Sequence, residues 1–175
     1  YPLKIGNTWQ YWYHYTLTNY RESTYVTNKV VGDTLMSNGK WYKIINGPIS
    51  GLMRTRYQRI DSTTANIYTY TDYGPSPEIL SDSLRAQRGD VFGLRVQCTA
   101  IDTITLFGIK TVAKTFATLS VPTPYITFAQ GFGIIKAEIS EDDPVYPIPR
   151  PYIHDLVYAK IDDHEYGTLT SVPPA

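Results

Sequence analysis

The stretch "TWQYWYHYTL", residues 8–17, alternates strictly, and that alternation limits what the segment can become. In an extended chain Trp9, Tyr11, Tyr13, Tyr15 and Leu17 share one face, while Gln10, Trp12, His14, Thr16 and Thr18 share the other. A helix would scatter these rings around its circumference, whereas a strand gathers them into a ladder. A face that ends in leucine and has polar residues behind it is normally the inward face of a sheet. Trp12 is then the exposed exception.

Similar period-2 runs recur along the chain, separated by turn residues. "SNGK", residues 37–40, places Asn38-Gly39 between two such runs, which predicts a two-residue hairpin because both central positions need positive φ. "LMRTRYQRI" predicts a half-exposed strand with Arg54, Arg56 and Gln58 outward. Phe107-Gly108 and Asp162-Asp163 mark further turns, and Gly131 and Gly133 mark a bulge or sharp bend. "SPEILSDSLRAQ", residues 76–87, fits a short helix capped by Ser76 as well as it fits a strand. The proline-rich segment 141–152 is expected to be an extended loop. The expectation is one β-rich domain over residues 1–175, an antiparallel β-sandwich or open barrel of about ten strands with at most one short helix.

Sixteen Lys and Arg balance sixteen Asp and Glu, so the formal charge is zero and the basic surplus needed to hold nucleic acid is missing. No run approaches the length of apolar residues that a membrane helix needs. Cys98, the single cysteine, cannot form an internal disulfide and sits in a strand-like run, which predicts a buried, inert thiol. The chain opens on Tyr1 without a basic-then-apolar leader, as expected of a processed or trimmed product.

No nucleophile elbow, zinc-protease helix, phosphate loop or dinucleotide fingerprint occurs, so no catalytic residue and no cofactor is assigned and the expectation is a protein that is not an enzyme. His154, Asp162, Asp163 and His164 are the best metal candidates, but Asp-Asp is also ordinary turn chemistry and the spacing fits no standard ligand set. The tripeptide Arg88-Gly89-Asp90 reads as the turn that opens the next strand. For an outward aromatic patch the candidates are Trp12, Tyr68, Tyr70 and Tyr73, with Arg54, Arg56 and Arg59 available for acidic sugars.

Three segments carry a family resemblance. "YPLKIGNTWQYW" resembles the opening (Y/F)-P-L-x-x-G-N-x-W-x-Y of secreted β-rich proteins from bacteria that use type IX secretion. "AQGFGIIKAE" resembles a later segment of the form E-G-(I/F)-G-(L/I), with Gln130 where the family usually has Glu. "LVYAKIDDHEYGTLTSV" resembles the family's closing hairpin, which commonly precedes a C-terminal sorting module; none follows Ala175 here, as cleavage on export or a partial sequence would leave it. The resemblance implies an exported protein, outside the cell or on its surface, and assigns no catalytic residue. An O-glycosylation pattern of such bacteria, Asp then Ser or Thr then an aliphatic residue or Thr, matches at Thr34, Ser62, Ser83 and Thr103.

The expected function is a non-catalytic extracellular structural subunit that assembles with copies of itself into fibres or a surface layer through terminal or edge strands. The alternative is a glycan-binding or adhesive module that uses surface Tyr and Trp, with cell-surface glycans as partners.

Overall fold

The computed structural model describes residues 2–17, 20–47, 55–70, 76–92, 96–119, 125–143 and 146–170. Thirteen strands follow one another along it: β1 (Thr8–Leu17), β2 (Tyr20–Leu35), β3 (Trp41–Asn46), β4 (Thr55–Ile60), β5 (Asn66–Tyr70), β6 (Glu78–Ser83), β7 (Val91–Phe92), β8 (Val96–Leu106), β9 (Ile109–Thr118), β10 (Tyr125–Ala129), β11 (Gly133–Asp143), β12 (Tyr146–Ile161) and β13 (His164–Gly167). All belong to one antiparallel sheet in the order β6-β5-β4-β3-β2-β1-β12-β11-β10-β9-β8-β7, with β13 paired to β12. The sheet curls into a nearly closed, barrel-like shape, and no helix is present among the described residues. Of the two expected architectures the open barrel is the one found.

The segment 76–87 resolves as a strand and a turn. Ile79 and Leu80 pair with Thr69 and Tyr68 on β5, so tertiary pairing overrides the weak helical spacing. The proline-rich stretch is also strand, not loop: β11 runs to Asp143, and Pro151 and Arg150 of β12 pair with Ser140 and Glu141. Proline's φ suits an extended chain, and alternate residues of a strand need not donate to the same neighbour.

Turn chemistry is read correctly at two hairpins. Phe107-Gly108 and Asp162-Asp163 have positive φ at both positions, the mirror-image turn that matches strand twist. The Asn38-Gly39 hairpin differs from expectation. Only Gly39 has positive φ, at 74°; its amide donates to the Met36 carbonyl, and the Met36 amide donates to Lys40. This is a three-residue loop with the extra residue in the left-handed region.

The ladder's inward face is confirmed at its first two rings. Trp9 and Tyr11 are buried with Val30, Ile45, Ile134, Ala137, Leu156 and Ala159. Tyr13 is half-buried and stacks on Tyr152 at 5.8 Å; the Tyr15 side chain lies outside the described residues. The opposite face departs from expectation at Gln10, which is only 2% exposed. Its amide donates to the Thr170 carbonyl at 2.8 Å and accepts from the Thr170 amide at 2.9 Å, so the segment after β13 lies over it. Cys98 is buried, as expected, in a small second cluster with Ala86 and Phe116.

Strand β4 reverses its expected facing. Arg56 pairs with Ile45, which is buried, and Gln58 pairs with Lys43, so Arg56 and Gln58 turn inward. Arg54 lies outside the described residues. Alternation marks two faces but does not name the inner one when the inner one is partly polar.

Candidate binding cleft

The hairpin β2–β3 and strand β4 end near the N-terminal segment and the turn between β12 and β13. Together they border a shallow, open cleft of about 650 Å³. Its wall carries Trp41, which is 65% exposed, the most exposed large apolar side chain among the described residues. An exposed indole beside a cleft offers a flat apolar surface.

Polar groups converge around that ring. Asp33 and Lys43 face each other across β2 and β3 and form an ion pair at 2.6 Å. Lys4 from the N-terminal segment reaches Asp162 at 3.7 Å. Gln58, buried at 7% exposure, donates from Nε2 to Thr69 Oγ1 at 3.3 Å, and its Oε1 is buried without a hydrogen-bond partner. One side of the cleft is tied together by Asn7. Asn7 is buried, donates to the Pro2 carbonyl at 3.0 Å and accepts from the Asp162 amide at 3.0 Å, tying the N-terminal segment to the β12–β13 turn.

Behind the cleft a charged network locks β3, β4 and β6 together. The Glu78 carboxylate accepts from Arg59 Nε at 2.5 Å and Nη2 at 3.1 Å, from Lys40 Nζ at 2.5 Å, and from the Tyr42 hydroxyl. Burial alone would raise the Glu78 carboxyl, but these donors overrule it and hold it at about 2. Arg59 also lies 4.4 Å over the Tyr68 ring.

The expected aromatic patch is thereby redistributed. Tyr68 serves as the seat for Arg59, and Tyr70 packs edge-on against Tyr42 at 5.5 Å. Trp12 is half-buried against Tyr25, with centroids 4.7 Å apart, so it is not an isolated exposed ring. Tyr73 lies outside the described residues. Alternation alone does not single out Trp41; its one signal is position, a tryptophan directly after a hairpin turn where the strand begins.

The four metal candidates do not meet. His154 is 1% exposed and sits opposite Tyr13, whereas Asp162, Asp163 and His164 lie exposed at the far tip of the strand, about 25 Å away at a strand's rise per residue. No group of three metal-ligating side chains occurs among the described residues. Among the O-glycosylation matches, Ser62 and Thr103 are exposed, while Thr34 and Ser83 are half-buried. Arg88-Gly89-Asp90 is an exposed turn leading into β7.

A smaller cavity of about 360 Å³ lies where the barrel nearly closes, lined by Leu84, Val112, Phe116 and Phe128. Lys114 crosses it and donates to the carbonyls of Leu84 and Ala86, both at 2.7 Å, strapping the β6–β7 connection onto β9. No helix among the described residues is long and apolar enough to cross a membrane. No protein family, curated protein or solved structure matches this chain.

Proposed function

We propose that the protein is a non-catalytic, exported bacterial binding module that holds a saccharide against Trp41. The observation that carries this reading is the exposed indole at the wall of a cleft whose other groups are paired donors and acceptors. A pyranose has an apolar face that stacks on an aromatic ring and a rim of hydroxyls that both donate and accept. Such sites combine apolar contact with a few placed polar groups. Export is supported by the resemblance of the opening and closing segments to type IX secreted proteins. The test is a polysaccharide array probed with the wild-type protein and with Trp41→Ala. Binding that the variant loses is expected; silence of the wild type across a broad array would defeat the reading.

A second reading, a self-assembling structural subunit, is favoured by the bare strand edges. Among the described residues β6 pairs only with β5, and β8 from Ala100 to Leu106 pairs only with β9. Edges of this kind join other chains unless covered. The Lys114 strap covers the connection between them, which is why this reading stands second. Light scattering across a concentration series separates the two, since an assembling subunit grows with concentration and a binding module stays a monomer.

A further inference from the structure

We infer that the cleft at Trp41 selects a neutral sugar chain over an acidic one, an inference that rests on the saccharide reading above. The argument is one of charge already spent. Three cations surround the cleft, Lys4, Lys43 and Arg59, and each has a carboxylate beside it. Lys43 is paired with Asp33 at 2.6 Å and Lys4 with Asp162 at 3.7 Å. Arg59 is gripped through two nitrogens by Glu78 and lies 3.8 Å from Asp61. A uronate or sulfate entering the cleft would share these cations with the carboxylates already beside them and would face Asp33 and Asp162, and like charges at close range repel.

A neutral pyranose meets no such barrier. Its hydroxyl oxygens accept from the ammonium of Lys43 or Lys4 without breaking either pair, because each ammonium has three donors. Its hydroxyl hydrogens satisfy the second oxygens of Asp33 and Asp162.

The test titrates the full chain with two sets of oligosaccharides of matched length at physiological salt. One set is neutral, built from glucose, xylose and mannose; the other is acidic, built from uronic acids and sulfated sugars. Binding is read by tryptophan fluorescence and calorimetry. Neutral sugars are expected to bind with an affinity that changes less than twofold between low and high salt, and Trp41→Ala is expected to weaken them at least tenfold. Trp41 is exposed, so a circular-dichroism spectrum identical to wild type is expected for that variant. Asp33→Asn unmasks Lys43 and is expected to raise affinity for the acidic set several-fold. Preference of the wild type for acidic sugars, or an Asp33→Asn variant with unchanged selectivity, would overturn the inference and leave saccharide binding intact. Failure of both sets to bind would instead remove the saccharide reading itself.

Discussion

The indole Nε1 of Trp9 donates a hydrogen bond to the carbonyl oxygen of Phe132, 2.6 Å away and 123 residues along the chain. One rung higher the Tyr11 hydroxyl donates to the carbonyl of Ile134 at 2.9 Å. The first ladder strand is therefore tied by its side chains to the β10–β11 turn and to the start of β11, neither of which it pairs with in the sheet. Both contacts are buried, so each satisfies a backbone carbonyl that water cannot reach. The opening segment, the Gly131–Gly133 turn and the closing hairpin, where Asn7 accepts from Asp162, are thus one structural joint.

Trp9→Phe keeps the ring and removes the donor. The buried Phe132 carbonyl then lacks its partner, which costs about 1–3 kcal/mol. Urea denaturation is expected to show a lower midpoint at an unchanged slope, the mark of lost stability without a change in the unfolded state. A midpoint within error of wild type would mean that the bond contributes nothing.

Gly47 tests a close approach. Its φ is +123°, and a Cβ there would lie 2.2 Å from both the Thr27 carbonyl oxygen and Asn28 Oδ1. The first obstacle is backbone and cannot turn aside. Gly47→Ala is expected to cost more than about 2 kcal/mol, the sum of a disfavoured φ and a forced shift of β2 against β3. Gly39→Ala is the control, since φ is +74° and nothing lies within 4 Å of its Cβ, so only the conformational part of about 1 kcal/mol remains. Equal losses in thermal melts of the two variants would contradict the steric account.

Much of this architecture is legible in the residues alone, and the failures share a cause. The facing of Trp9 and Tyr11 follows from alternation, the Asp162-Asp163 turn from residues that tolerate positive φ, and the Phe107-Gly108 turn from its glycine, although Phe107 is also held at a positive φ that bulky residues seldom adopt. Gln10 is buried because the segment around Thr170 returns across it, a contact with 160 residues between the partners that no local pattern encodes. Arg56 and Gln58 face inward because their register to β3 places them there, and period-2 reading fixes parity but not side. The cleft escaped for the same reason. Trp41, Asp33, Gln58, Lys4 and Asp162 come from five separate stretches, and only the curl of the sheet brings them to one wall.

His154 makes stability depend on mild acid. Burial pushes its imidazole down to about 4 from an ordinary 6.5; the neighbouring His14 and Arg56 act in the same direction and Asp155 opposes them. The folded protein therefore binds fewer protons than the unfolded chain between those two values. Stability is complete above pH 6.5 and declines as the pH falls toward 4, by about 2 kcal/mol at pH 5. His154→Phe keeps an aromatic ring beside Tyr13, whose centroid lies 5.0 Å away, and removes two ring nitrogens that have no hydrogen-bond partner. Replacing such groups with an apolar ring of similar shape is close to neutral at pH 7. The variant's urea midpoint is expected to stay flat between pH 6.5 and 5, where that of wild type falls. Parallel curves would assign the acid sensitivity to other groups.

Glu78 governs a second, more acidic window. Its carboxyl sits at about 2 in the folded protein against 4.5 when free, because Arg59, Lys40 and Tyr42 hold its charged form against the cost of burial. A lowered value means that the unfolded chain takes up the proton first. The stabilisation is present above pH 4.5 and is lost as the pH falls from there toward 2. Glu78→Gln removes the charge at every pH and leaves Arg59, whose side chain is 15% exposed, with Asp61 at 3.8 Å as its remaining ion pair. Breaking a wholly buried pair costs about 3–5 kcal/mol, and partial exposure here reduces the expected loss to about 2–4 kcal/mol at pH 7. The same substitution should abolish the part of the wild-type decline that lies between pH 4.5 and 2, so the two stability curves converge in strong acid. Because the window of His154 lies mostly above this one, a double variant with His154→Phe separates the two contributions. Each residue should flatten only its own segment of the pH profile, and non-additive losses would show that the two sites, one inside the barrel and one behind the cleft, are coupled through β4.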